Sequence, residues 1–73
     1  MTEKQFNEFR KIKTNSKGDE IACYILYEGS KKIAEVYPAN IQSVSEGLLI
    51  YRPGTSTMPA CIDLSKVTQI LTR

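Results

Sequence analysis

The chain has 73 residues, a net charge of +2, ten basic and eight acidic side chains, and no histidine. A chain of this length supports one small core and excludes a second domain. Because histidine, the commonest general base, is missing and the two cysteines lie far apart, the composition argues against an enzyme, a metal site and a bound cofactor.

Residues 1–17 are predicted to form an amphipathic helix that packs on a sheet. Thr2 and Gln5 fit a capping box, in which each side chain bonds the backbone N–H of the other residue. Apolar residues recur three positions apart and mark one narrow face. They are Phe6, Phe9 and Ile12. The polar run at residues 15–18 ends in glycine and is expected to terminate the helix.

The remainder of the domain, residues 18–73, is predicted to consist of short strands. Residues 20–27 are largely apolar on both alternating sets, which indicates a strand covered on both faces, with the helix as one cover. Residues 28–31 supply a tight hairpin turn, and residues 32–37 return as the second strand. Pro38 has no N–H to donate, so it predicts a strand end, a bulge or an edge.

Further strand pairing is predicted toward the C-terminus. The segments are residues 41–44, which resume the pairing after the proline, and residues 48–52, 60–65 and 67–72, with a single helical turn or kink at 65–66. One helix and about five short antiparallel strands indicate an α+β fold that forms a small barrel or a strongly curved sheet. In architecture alone, this order resembles the Sm-like and SH3-like small barrels.

The cysteines and the hydrophobic segments bear on the compartment. Cys23 and Cys61 each stand in an apolar run, and reduced cysteine behaves as a small hydrophobic residue, so both thiols are expected to be buried and free. We find no hydrophobic segment of signal-peptide length, and the longest apolar run, residues 24–27, is too short to cross a bilayer. A cytoplasmic protein without membrane contact is therefore expected.

The connection at residues 52–59 is longer than its hairpin needs and is the predicted protein-binding loop. Arg52 offers a fork of hydrogen-bond donors, and Met58 offers an adaptable apolar side chain. Two prolines in the loop limit the conformational entropy lost on binding. The predicted contact residues are Arg52, Pro53, Gly54, Thr55, Ser56, Thr57 and Met58.

Basic residues in two segments support an alternative hypothesis, a weak nucleic-acid or nucleotide binder. They are Arg10, Lys11, Lys13, Lys17, Lys31 and Lys32. The tyrosines on the predicted strands would be stacking platforms for bases, and these are Tyr24, Tyr27, Tyr37 and Tyr51. A pI of ≈ 8.6 and a net charge of +2 are low for a protein that tracks phosphates, so this hypothesis is the less favoured one.

Taken together, these patterns predict a small non-enzymatic module that acts through protein–protein contacts, as a phage- or plasmid-type regulator or inhibitor does. No residue pattern identifies the partner. The doubly apolar first strand exceeds what a small monomer easily covers, and a second copy of the chain would bury that surplus. Homo-oligomerisation is therefore one form that the expected protein contact can take.

Overall fold

The computed structural model describes all 73 residues, as one short helix followed by six antiparallel strands. The elements are α1 (Glu3–Phe9), β1 (Tyr24–Glu28), β2 (Lys31–Val36), β3 (Ile41–Ser45), β4 (Leu48–Tyr51), β5 (Ala60–Asp63) and β6 (Gln69–Thr72). Two 3₁₀ turns, Pro38–Asn40 and Leu64–Lys66, precede β3 and β6. The predicted α+β class and antiparallel pairing are confirmed. No helix has the length and hydrophobicity needed to span a membrane.

The strands form two separate three-stranded sheets. The first sheet has the order β2-β1-β6, and the second sheet has the order β3-β4-β5. Strand pairing does not continue from one sheet to the other, so the chain has no closed barrel. Each of the six strand segments predicted from the sequence contains one strand, so the total of about five is one too low. Pro38 marks the change of sheet, because the 3₁₀ turn that it begins separates β2 in the first sheet from β3 in the second.

The predicted capping box is confirmed at the start of α1. The backbone N–H of Gln5 donates to Thr2 Oγ1 over 3.1 Å, and that of Thr2 donates to Gln5 Oε1 over 2.8 Å. The helix ends at Phe9, however, whereas the sequence predicts it to continue to residue 17. Lys11 and Lys13 therefore lie outside the helix.

The segment after α1 forms a narrow antiparallel loop in place of the last predicted helical turns. Asn15 explains the difference, since its Oδ1 accepts hydrogen bonds from the backbone N–H groups of Lys17 and Asp19 over 2.9 and 3.0 Å. A side chain that bonds nearby backbone in this way competes with helical hydrogen bonding. The loop closes where Ile21 N donates to the carbonyl of Lys13 over 3.0 Å.

One hydrophobic core joins α1 to both sheets. Phe6 is completely buried, and its ring meets that of Tyr24 edge-on, with centroids 6.2 Å apart. Phe9 is half-buried, and its ring centroid lies 5.1 Å from that of Tyr24. Ile12, beyond the helix, is exposed and does not join the predicted apolar face. The core residues are Phe6, Ile21, Tyr24, Leu26, Val36, Leu49, Tyr51, Leu64 and Val67.

The first strand is fully covered on one face only. Tyr24 and Leu26 point into the core, whereas Ile25 and Tyr27, on the opposite face, are half-buried. The prediction of complete cover on both faces is therefore too strong. The single short helix lies on the Tyr24 side, which leaves nothing of comparable size to cover the other side.

The prediction that both cysteines are buried is correct for one and wrong for the other. Cys23 is buried and Cys61 is exposed, and both are free thiols. The strand period explains the difference, because Ala60 and Ile62 on β5 pack against the core and Cys61 lies between them on the outer face. An apolar run on an edge strand does not guarantee that each of its members is buried.

Candidate binding surface

The 52–59 loop connects β4 to β5 without regular secondary structure, as predicted. Its first part is a tight turn in which Ser56 N donates to the carbonyl of Pro53 over 2.9 Å. Gly54 occupies the turn with φ of 51°, a left-handed conformation that favours glycine. The Ser56 hydroxyl accepts from Met58 N over 3.1 Å and donates to Met58 O over 3.3 Å. The loop is thus ordered by its own hydrogen bonds.

Met58 is the most prominent apolar side chain on the surface. It is 71% exposed, which exceeds the exposure of every other exposed large hydrophobic residue. A long apolar side chain held out by a loop with internal hydrogen bonds contributes nothing to the core. Its exposure is instead suited to contact with another molecule.

A shallow depression lies at the base of this loop. It has a volume of ≈ 200 Å³ and is lined by Ala39, Asn40, Ile41, Gln42 and Arg52, and we call it the Arg52 depression. The backbone N–H of Arg52 donates to the carbonyl of Asn40 over 3.0 Å, which ties the loop to the 3₁₀ turn before β3. No other cavity is present. The sequence points to Arg52 but carries no signal for Asn40 or Gln42, because only tertiary pairing brings them beside it.

The polar side chains of the residues that line the Arg52 depression form no ion pair or hydrogen bond within the chain. The three ion pairs of the structure do not include Arg52. The arginine side chains that donate hydrogen bonds are Arg10 and Arg73. The guanidinium of Arg52 therefore keeps its donors free, in a residue that is exposed to solvent.

The six basic residues of the alternative hypothesis differ in their local partners. Lys11 pairs with Glu8 over 3.0 Å, and Lys32 lies 3.8 Å from Glu35. Arg10 donates to Asn7 Oδ1 over 3.3 Å. The remaining three, Lys13, Lys17 and Lys31, are exposed and take part in no ion pair.

The structure separates these basic residues into two groups. Lys31 faces Glu28 at the end of β1, and Lys32 follows it on β2. The backbone carbonyl of Lys13 accepts a hydrogen bond from the N–H of Ile21, and Ile21 precedes the start of β1. The length of β1, about 13 Å from its first to its last residue, therefore lies between the groups. The structure does not bring the six residues together in one patch.

The four tyrosines are likewise divided between core and surface. Tyr24 and Tyr51 are buried, whereas Tyr27 is half-buried and Tyr37 is exposed. Burial raises the pKa of Tyr24, against a smaller opposing effect of the Arg10 guanidinium, and burial also raises the pKa of Tyr51. In this fold, Tyr24 and Tyr51 do not present a ring face to a base.

One further polar cluster closes β5. The hydroxyl of Ser65 donates to Asp63 Oδ1 over 2.7 Å, and its backbone N–H donates to the same oxygen over 3.0 Å. These bonds lower the pKa of Asp63, since they favour the carboxylate form. The arrangement caps the 3₁₀ turn Leu64–Lys66 and is accounted for by that role.

Comparison of the chain with protein-family models, with curated proteins and with solved structures gave no match. Within the chain, no group of three or more His, Cys, Asp or Glu side chains could hold a metal ion. The 52–59 loop carries the most exposed large hydrophobic side chain, Met58, and its first residue, Arg52, lines the depression. This surface is therefore the candidate binding site of the chain.

Proposed function

We propose that the chain is a non-enzymatic binding module that contacts a protein partner through the 52–59 loop and the Arg52 depression. The observation that carries this proposal is Met58, which is 71% exposed on a loop with its own hydrogen bonds. Methionine and arginine are both enriched at protein interfaces. Binding of this kind acts by occupying a partner's surface, as a regulator or inhibitor does.

The 52–59 loop is already ordered before a partner binds, which keeps the entropic penalty of binding small. Three hydrogen bonds link Pro53, Ser56 and Met58, and two prolines restrict the backbone further. A contact segment that is already ordered loses less conformational freedom on association. The two sheets supply the rigid frame from which the loop projects.

The placement of charge favours a protein partner over nucleic acid. The basic residues fall into two groups separated by β1, and Lys11 and Lys32 already pair with carboxylates. A protein that follows a nucleic-acid backbone needs cations in a continuous track. Two of the four tyrosines, Tyr24 and Tyr51, are also buried in the core and do not offer a ring face to a base.

Differential affinity capture tests the proposal. Three tagged proteins are compared: the natural chain, a variant with residues 54–57 shortened to a two-residue turn, and a matched surface variant with Lys11, Lys13 and Lys17 changed to Gln. We expect a protein that the natural chain and the Lys variant retain equally and that the loop variant binds at least about tenfold more weakly, the effect of losing one interface hot spot.

Two outcomes would contradict the proposal. If the loop variant binds as the natural chain does while the Lys variant loses bound nucleic acid, the basic segment is the site. If neither variant changes what is bound, the contact lies elsewhere on the surface. The native mass of each purified protein shows whether the captured partner is a second copy of the chain.

A further inference from the structure

We propose that the Arg52 depression binds a single carboxylate, the side chain of an Asp or Glu residue on the protein partner. This inference rests on the proposed function and deepens it, because it names the chemical group that the site recognises. Arg52 is the cation, and Asn40 and Gln42, whose side-chain amides can donate hydrogen bonds, line the depression with it.

The donor set matches a carboxylate in geometry. A guanidinium presents parallel N–H groups that bond both oxygens of a carboxylate, and an amide NH₂ can donate to a remaining lone pair. Arg52 belongs to no ion pair in the chain, so these donors are available to a ligand. The 3.0 Å bond from Arg52 N to Asn40 O holds the two residues side by side before any ligand arrives.

The charged residues around the Arg52 depression suit a ligand that carries one negative charge. Between residues 36 and 62, Arg52 and Glu46 are the only charged side chains. Glu46 lies in the β3–β4 turn, and Asp63 faces Leu48, so both acids stand at the end of β4 remote from Arg52. That strand has four residues and extends over about 10 Å. Arg52 is thus the only cation of residues 36–62, and it belongs to no ion pair.

A lone cation discriminates between classes of anion. One guanidinium neutralises one carboxylate, whereas a phosphate dianion would retain one negative charge after pairing. The volume of ≈ 200 Å³ suits a short side chain, and Ala39 and Ile41 are the two hydrophobic residues of the lining.

Titration of the full chain by ¹⁵N NMR tests the inference. The probe is acetyl-aspartate amide, which carries one carboxylate, and the comparison ligands are acetyl-asparagine amide and inorganic phosphate at the same ionic strength. We expect saturable shifts of the side-chain N–H signals of Asn40, Gln42 and Arg52. The aspartate derivative should bind about fivefold more tightly than the asparagine derivative, as an exposed ion pair allows.

Variants of single charges locate the binding. Arg52→Gln should abolish the preference for the aspartate derivative, and Arg52→Lys should retain only part of it because the fork geometry is lost. Lys17→Gln is the matched control, since Lys17 is exposed, unpaired and outside the depression. That variant removes the same charge and should bind as the natural chain does.

Several results would overturn the inference: equal binding of the aspartate and asparagine derivatives, tighter binding of phosphate, shifts spread over all basic residues, or no saturable shift. Its failure is distinguishable from failure of the proposed function. The loop-shortened variant keeps Arg52 and should still bind the carboxylate probe. If the loop-shortened variant does not bind the partner and the natural chain does not bind the probe, the loop contact is supported and only the carboxylate assignment is wrong.

Discussion

The contact between α1 and β1 and the loop between β4 and β5 are ordered by different forces. Phe6 and Phe9 meet Tyr24, a residue far along the chain, through aromatic packing in the core. The 52–59 loop is held by bonds among its own neighbouring residues and contributes Met58 to solvent rather than to the core. The first region should therefore determine stability, and the second should be replaceable without loss of the fold.

The largest expected effect comes from Phe6, whose side chain is completely buried. Phe6→Ala should lower the free energy of unfolding by about 3–5 kcal/mol, because it removes apolar contacts and leaves a cavity. A domain of this size has a total of roughly 4–11 kcal/mol, so the variant should unfold at low denaturant concentration. Chemical denaturation followed by circular dichroism measures the loss.

Phe9→Ala is the matched comparison. Phe9 is half-buried, so its removal should cost only about 1–2 kcal/mol although its ring lies nearer to Tyr24 than that of Phe6 does. Phe6→Leu retains most of the apolar surface and keeps the comparison measurable if the alanine variant does not fold. Equal losses for Phe6 and Phe9 would show that burial is not what distinguishes them.

The two cysteines extend the comparison to the sheets. Cys23→Ser should cost about 1–3 kcal/mol, because it buries a hydroxyl in place of a thiol, whereas Cys61→Ser, at an exposed position, should change stability by less than about 0.5 kcal/mol. Thiol reagents should label the native protein at Cys61 and reach Cys23 only after unfolding. Rapid labelling of both thiols in the folded protein would contradict this assignment.

The ionisation of Tyr24 gives a smaller effect that appears at alkaline pH. Burial raises the pKa of Tyr24 above the ordinary value of about 10, so the folded state retains this proton when the unfolded state has lost it. Its contribution to stability is complete below pH of about 10 and decreases as the pH rises through the folded-state pKa. Thermal unfolding at increasing pH should show this decrease, and Tyr24→Phe should remove part of it.

The smallest effect is expected in the 52–59 loop. Shortening residues 54–57 to a two-residue turn should change the free energy of unfolding by no more than about 0.6 kcal/mol, since the entropy of loop closure depends weakly on length. The hydrogen bonds among residues 53–58 are internal to the loop, and the Arg52–Asn40 bond lies outside the shortened segment, so no core contact is lost. A loss comparable to that of Phe6→Ala would mean that the loop belongs to the folding unit.

Features that depend on neighbouring residues were predictable from the sequence. The Thr2–Gln5 capping box, the hairpin turn before β2 and the irregular loop after β4 each follow from a few adjacent side chains. The end of α1 at Phe9 was not predicted, although the residue that explains it, Asn15, also acts through nearby backbone groups. The amphipathic pattern extends past Phe9, but the side chain of Asn15 stabilises a different backbone path through two hydrogen bonds.

The amino-acid sequence by itself determined the α+β class, the position of the irregular loop at residues 52–59 and the choice of Phe6 and Phe9 as the helix's contacts with Tyr24. Tertiary structure alone decided which face of β5 exposes Cys61. It also created the Arg52 depression, because Asn40 and Arg52 become neighbours only when β3 pairs with β4. Strand register is a long-range property, set by which residues the whole core can bury, and no short segment encodes it.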